Sequence, residues 1–181
     1  LAGTVTVMLL LIGFAVQHIR VGGTVQNRID LITGFTADIL PPPLYIVEPA
    51  LKARQAIDDP AHLDQNRADL AELEKQYRAS LARWTADDVD RALAGELRTE
   101  VAKEADAFWQ EVNGVLLPAL SQGDAAGAEA SKQKLDAIFA RERSAILLLT
   151  EHATAARNSL VSSSSATVAV LLIMIGLAGA G

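Results

Sequence analysis

Two long stretches without a charged side chain, one at each end of the chain, most constrain how this sequence can fold. Residues 1–16 read LAGTVTVMLLLIGFAV, and residues 161–181 read VSSSSATVAVLLIMIGLAGAG. A helix that crosses a bilayer needs about 20 mostly apolar residues. The second stretch has that length, and the first, which begins on leucine, is expected to continue further in the N-terminal direction. We therefore predict transmembrane helices at 1–19 and 161–181; for the first, a signal peptide without an A-x-A cleavage pattern is the alternative.

The charged residues all lie between these stretches, so residues 20–160 carry the whole net charge of −6. With two membrane spans, both chain ends lie on one side of the membrane and this middle segment lies on the other. An acidic segment argues against a nucleic-acid partner, which requires a basic face. The absence of cysteine is compatible with an oxidising compartment.

The middle segment has the periodicity of helices and no run that alternates like a strand. Turn signals at Asp58-Asp59-Pro60 and at residues 121–124, with a weaker one at 84–87, divide it into four helical stretches. Thr85 is expected to begin a capped linker, and the third helix to begin near Gly95. We predict an all-α fold, an up-down-up-down four-helix bundle whose first and last helices continue into the two transmembrane helices. The predicted domains are 1–19, 20–160 and 161–181.

The stretch DILPPPLYIVEP, residues 38–49, interrupts the first helix. Proline lacks an N–H and clashes with the carbonyl four residues earlier, so Pro41, Pro42 and Pro43 predict that the helix ends near Ile39 and restarts. Counting residues from the two turns at the far end of the bundle places Tyr77 at the height of the prolines. The same count brings to this height aromatic and charged residues from every helix: Arg78, Asp106, Phe108, Trp109, Phe139, Arg141 and Glu142.

A broken helix with aromatic and charged side chains at one height predicts a small-molecule site. In this hypothesis an arginine holds an anionic group, aromatic rings contact the body of the ligand, and Glu48 or Glu142 orients it. Core packing is the expected role of Phe108 and Phe139, and Glu142 alternatively pairs with a neighbouring arginine. The candidate ligand-binding residues are Tyr45, Glu48, Tyr77, Trp109, Arg141 and Glu142.

No pattern in the chain indicates catalysis. The three histidines, His18, His62 and His152, are far apart, and neither a metal-binding motif nor a glycine-rich phosphate loop is present. Paired carboxylates such as Asp58-Asp59 lie where a helix begins, which is the ordinary place for capping. We therefore expect no enzyme activity, no cofactor and no metal.

The chain resembles the sensor region of bacterial methyl-accepting chemotaxis proteins. The resemblance is carried by the order of membrane helix, extracytoplasmic four-helix bundle and membrane helix, and by two stretches. ADILPPPLYIVEP is similar to a stretch in a proline-containing subgroup of these chemoreceptors, and FWQEVNGVLLPALSQGD, residues 108–124, is similar to the end of their third helix.

The resemblance implies a homodimer in a bacterial inner membrane, with the bundle in the periplasm. It implies that a small ligand displaces the helix leading into the second span, and that cytoplasmic signalling modules after Gly181 respond. Family members hold an amino-acid carboxylate with arginines on the first and last helices, for which Arg54 and Arg141 are the candidates by helix alone. The alternatives are the input domain of a sensor histidine kinase or diguanylate cyclase, and a structural dimerising bundle.

Overall fold

The computed structural model describes Gly13 and residues 23–39, 45–86 and 90–179. Within these ranges the chain is helical apart from short turns, and no strand occurs. This confirms the all-α prediction for the described residues. The helices are α1 (Thr24–Ile39), α2 (Val47–Asp58), α3 (Leu63–Ala86), α4 (Arg91–Glu96), α5 (Ala102–Glu111), α6 (Leu117–Gln122) and α7 (Ala125–Gly179), with a 3-10 turn at Pro60–His62 and π-helical segments at Leu97–Val101 and Val112–Leu116.

Three predicted interruptions are present where the sequence placed them. α1 ends at Ile39, and the chain becomes helical again at Val47 after a bend at Tyr45 and a turn at Ile46. The three prolines lie outside the described residues. The turn before Pro60 is also confirmed, and the turn after Gln122 is closed by Gly123, whose φ of 69° is left-handed and suits glycine at a helix C-terminus.

The predicted start of the third helix is wrong. Thr85 does not begin a capped linker, because α3 continues to Ala86 and the Thr85 hydroxyl donates to the Leu81 carbonyl one turn earlier. The next helix begins at Arg91 rather than near Gly95. Its N-cap is Asp90, whose carboxylate accepts the N–H of Ala92 at 2.9 Å.

The third helical stretch contains two π-helical segments that the sequence analysis did not predict. One of them, Val112–Leu116, ends two residues before Pro118. Pro118 cannot donate to the Gly114 carbonyl, and its ring would clash with that carbonyl in a regular helix. A wider turn relieves this clash, so Pro118 explains the local geometry.

The chain divides into two compact units. One unit, Gly34–Ala153, contains most of the buried hydrophobic residues, and the other consists of residues from the chain ends, up to Thr33 and from Thr154 onward. The largest fully buried side chains of Gly34–Ala153 come from all of its helical stretches: Phe35, Ile39, Ile46, Leu70, Tyr77, Leu97, Phe108, Trp109, Leu116, Ile146 and Leu149.

Trp84 joins two helices within the unit Gly34–Ala153. Its ring packs edge-on against Phe35 with centroids 5.4 Å apart, and its indole N–H donates to Asp38 at 2.8 Å. The ring edge also lies 3.5 Å from where a Cβ on Gly34 would be, so the glycine gives the indole room beside α1. These contacts hold the last turns of α3, which ends at Ala86, within the weak break that the sequence suggested at 84–87.

Within the described part of the chain, no helix has the combination of length and apolar character needed to cross a bilayer. Apart from Gly13, the first predicted membrane segment lies outside the described residues, and α7 includes residues 161–179 of the second. The domain limits and the up-down-up-down bundle stay predictions.

Candidate functional site

Aromatic rings from separate helices meet in the unit Gly34–Ala153. Tyr45, just before α2, stacks on Phe139 of α7 with ring centroids 5.9 Å apart and planes 1° from parallel. Tyr77 of α3 lies 6.4 Å from Trp109 of α5, and Phe108 meets Trp109 edge-on at 5.3 Å. The structure therefore brings together two pairs of the residues predicted to lie at one height, Tyr45 with Phe139 and Tyr77 with Trp109.

Glu142 lies close enough to Tyr45 and Tyr77 to affect both side chains electrostatically. It is on α7 and is 0% exposed. The backbone N–H of Ile46 is directed at the carboxylate and lowers its pKa slightly, but neither oxygen has a hydrogen-bond partner of normal geometry among the described residues. Burial dominates and raises the pKa of Glu142 to about 8, because desolvation disfavours the charged form. The carboxyl is therefore mostly protonated at neutral pH.

Two further polar groups are buried without a partner within the described ranges, on rings 6.4 Å apart, and Glu142 acts electrostatically on the first of them. They are the hydroxyl of Tyr77, 0% exposed, and the indole N–H of Trp109, 1% exposed. Burial raises the pKa of Tyr77; Asp106 and Glu142 raise it further, while Arg78 opposes them. Buried polar groups normally have partners, so these three unpartnered groups are where a water or a ligand would gain hydrogen bonds.

Tyr45 forms the outer edge of this cluster and is half-buried. Burial raises the pKa of Tyr45 above its ordinary value; Arg143 opposes this increase and Glu142 adds to it. We use the name Glu142 cluster for Tyr45, Tyr77, Trp109 and Glu142. These are four of the six candidate residues proposed from the sequence.

The other two candidates do not join the Glu142 cluster. Glu48 is exposed in the first turn of α2. The Arg141 side chain is 55% exposed and donates to Glu104 at 2.8 Å, on a different face of α7 from Glu142. Adjacent residues on a helix point about 100° apart, so Arg141 cannot accompany Glu142 inward. The expectation that an arginine neutralises Glu142 is not met by any described residue.

Two arginines that could hold an anionic ligand, Arg78 beside Tyr77 and Arg54, already have acidic partners. Arg78 pairs with Asp106 and, at 3.2 Å, with Glu74. Arg54, the other arginine suggested by the family resemblance, pairs with Asp136 at 2.6 Å. A bound anion would therefore compete with an existing carboxylate for each of these guanidinium groups.

An open groove of about 580 Å³ lies outside the Glu142 cluster, between α7 and the third helical stretch. Its walls carry Glu96, Glu100, Glu104 and Arg141. At its side, His152 bonds Glu96 at 2.8 Å, and this hydrogen bond raises the pKa of His152. The groove is acidic and solvent-filled, which suits a solvated surface better than an enclosed site.

The sequence analysis missed the backbone N–H of Ile46 and the two π-helical segments on either side of α5. The only available signal was Pro118, four residues after Gly114, because a proline inside a helical stretch requires a local adjustment. Such segments frequently occur at functional sites, and Trp109 lies between these two.

The described residues contain no group of three or more metal-ligating side chains. What the cluster can do chemically is exchange a proton and hydrogen bonds with a small polar molecule. Compared with known proteins, the chain matches no family model, no curated protein and no solved structure.

Proposed function

We propose that this chain is the sensory input region of a transmembrane chemoreceptor, in which the Glu142 cluster binds a small extracellular ligand. The observation that carries the proposal is a carboxyl buried without a partner among aromatic rings, beside the interruption between Ile39 and Val47. A protein that needed only stability would gain by pairing or replacing such a group, because burying it is unfavourable. Unsatisfied, convergent polar groups are typical of binding sites.

The proposed signal travels along α7. Glu142 belongs to this helix, which extends from Ala125 to Gly179 without an internal proline. A ligand that changes the contacts or the charge of Glu142 changes the position that α7 prefers. In the proposed receptor, residues 161–181 cross the inner membrane of a bacterium, and this displacement reaches cytoplasmic modules that follow Gly181.

The finer architecture belongs to the same proposal. Residues 1–19 and 161–181 are the two membrane helices, and residues 20–160 form an up-down-up-down bundle in the periplasm that dimerises. The charge-free composition of both ends and the helical periodicity between them support it. Ion pairs between α7 and the third helical stretch, Lys134 with Glu111 and Arg141 with Glu104, are compatible with neighbouring helices of a bundle.

A chimaeric receptor tests the function. The chain is fused to the cytoplasmic signalling part of a well-characterised chemoreceptor, in a strain that lacks other receptors, and swimming responses are recorded against organic acids, amino acids, amines and aromatic compounds. We expect at least one compound class to elicit a response that Trp109→Ala abolishes. Arg141→Ala is the matched control and should respond normally, because Arg141 lies outside the cluster.

Two outcomes would contradict the proposal. If no compound class elicits a response although the chimaera is made and inserted, a structural dimerising bundle is the better explanation. If Trp109→Ala responds like the parent, the Glu142 cluster is not the site. The next hundred codons of the gene distinguish a chemoreceptor from a sensor histidine kinase or a diguanylate cyclase.

A further inference from the structure

The charges around the Glu142 cluster favour a cationic ligand over an anionic one. The carboxyl of Glu142 is the ionisable group at its centre, and the nearest charge on α5 is Asp106, which acts on Tyr77. Arg78 lies on α3 beside Tyr77 but is shared by two acids, Asp106 and Glu74. On α7, Arg143 acts on Tyr45 at the outer edge. From the start of α2, the group that faces Glu142 is the Ile46 N–H.

The unpartnered oxygens of Glu142 and Tyr77 give the same indication, whereas the Trp109 indole N–H, which only donates, would need an acceptor other than the ammonium group. A carboxylate that lacks partners gains most from a ligand that brings both a positive charge and N–H donors, since charge-assisted hydrogen bonds are roughly twice as strong as neutral ones. The Tyr77 hydroxyl oxygen can accept a further N–H. The rings of Tyr45, Tyr77 and Trp109 attract a cation through their negative faces, and Tyr77 already has the Arg78 guanidinium 5.4 Å from its ring centroid.

We propose that Glu142 binds the ammonium group of a small primary amine, while the Tyr77 hydroxyl accepts one of its N–H groups and the aromatic rings of the cluster surround it. This inference rests on the proposed function and names the ligand class of the same site. The proposed ligand is small, of the size of methylammonium or ethylammonium, because Glu142, Tyr77 and Trp109 are at most 1% exposed and leave little opening to the solvent.

Binding is coupled to loss of a proton. The free site holds Glu142 largely as the neutral acid, and the bound site holds it as the carboxylate that faces the ammonium group. The amine binds as its cation, so the carboxylic proton passes to the solvent and charge is conserved. A ligand carboxylate, in contrast, would leave Glu142 protonated and would release no proton.

Isothermal titration calorimetry on the purified 181-residue chain in detergent measures this proton directly. Ethylammonium chloride is titrated at pH 7 in two buffers with different ionisation enthalpies, with ethanol and sodium acetate as neutral and anionic probes of similar size. We expect ethylammonium to bind with release of about 0.9 proton, the fraction of Glu142 that is protonated at pH 7 with a pKa of about 8. Ethanol and acetate should bind at least tenfold more weakly.

Two variants locate the site. Glu142→Gln should weaken ethylammonium binding at least tenfold and abolish the proton release. Glu111→Gln is the matched control: Glu111 is also a buried glutamate but is paired with Lys134, and its substitution should leave binding within about twofold. Far-UV circular dichroism verifies that both variants fold. If a variant does not fold, the number of protons that the unsubstituted chain releases on binding ethylammonium still tests the inference.

The outcomes separate the inference from the proposed function. If acetate or ethanol binds, ethylammonium does not, and Trp109→Ala removes that binding, the amine proposal is wrong and the receptor proposal stands. Ethylammonium binding that survives Glu142→Gln, or that releases no proton, also overturns the amine site. If none of these probes binds while the chimaeric receptor responds to another compound class, the amine proposal is wrong and the receptor proposal is supported. If neither the calorimetry nor the chimaeric receptor gives a response, both proposals are overturned.

Discussion

Replacing Glu142 by glutamine should change how the stability of the protein depends on pH. In the unfolded chain the carboxyl has its ordinary pKa of 4.5, and in the folded chain burial raises it to about 8. The folded state therefore holds the proton more tightly than the unfolded state. Stability from this group is fully present below pH 4.5 and is lost as the pH rises toward 8, at up to about 1.4 kcal/mol per pH unit. The total loss is about 5 kcal/mol, a large part of the stability of a typical domain.

Other groups also make stability depend on pH, so the comparison with the variant is essential. The pKa of His152 is raised by Glu96, and its contribution is likewise lost as the pH rises through the folded pKa. The pKa values of Asp69 and Glu72 are lowered by hydrogen bonds, so their contributions are present at neutral pH and lost in acid. These three contributions are common to both proteins and cancel in the difference.

Urea denaturation followed by tryptophan fluorescence measures the difference. Both tryptophans of the chain, Trp84 and Trp109, lie in the unit Gly34–Ala153, so the signal reports on the part that contains Glu142. We expect Glu142→Gln to become progressively more stable relative to the unsubstituted chain between pH 5 and pH 8. Tyr77→Phe keeps the carboxyl and should keep the slope. A stability difference between Glu142→Gln and the unsubstituted chain that stays constant over this range would refute the reasoning.

Six further substitutions test the packing, the helix ends and a surface ion pair in the same urea assay. Phe108→Ala should lower the free energy of unfolding by about 3–5 kcal/mol, since the ring is 0% exposed and leaves a cavity; a loss below 1 kcal/mol would contradict this burial. Gly123→Ala should destabilise by about 1 kcal/mol because its φ is 69°, whereas Gly114→Ala, whose added Cβ meets no atom within 4 Å, should be neutral or stabilising; equal effects would contradict the left-handed turn. Asp90→Ala should cost about 1 kcal/mol through loss of the N-cap, and Asp90→Asn should retain most of the stability; equal losses would show that the cap does not matter. Arg141→Ala should change stability by less than about 1 kcal/mol, because an exposed ion pair contributes little.

The sequence predicted the features that local chemistry decides. Three consecutive prolines have no place inside a helix, and α1 ends at Ile39 as expected. Gly123 followed by Asp124 is a strong turn signal, and counting residues from that turn placed Trp109 near Tyr77, which the 6.4 Å ring separation confirms. Such counts succeed because the rise per residue of a helix is nearly constant.

The failures occur where distant contacts decide. Thr85 was expected to begin a capped segment, but Trp84 packs on Phe35 and donates to Asp38, and Thr85 belongs to the last turn of α3, which ends at Ala86. The cap proved to be Asp90. Local pattern alone cannot tell these alternatives apart, because tertiary packing overrides a weak preference.

The candidate site was predicted in part. A charge on the apolar face of a helix identified Glu142, and the structure buries it. The sequence could not show which partner Arg141 prefers, because Glu104 lies 37 residues earlier in the chain. The absence of a partner for Glu142 among the described residues, on which the choice of ligand class depends, could be learned only from the structure.

The central claim is that Glu142 is a buried acid without a compensating partner, and a direct titration tests it. Carbon-13 NMR spectra of the glutamate side-chain carboxyls are recorded from pH 4 to pH 10. The Glu142 signal is assigned as the one that is missing from the spectrum of Glu142→Gln. The account predicts a midpoint near pH 8. A Glu142 midpoint close to 4.5 would show that the carboxyl is solvated or paired, and the proposed site would lose its acid.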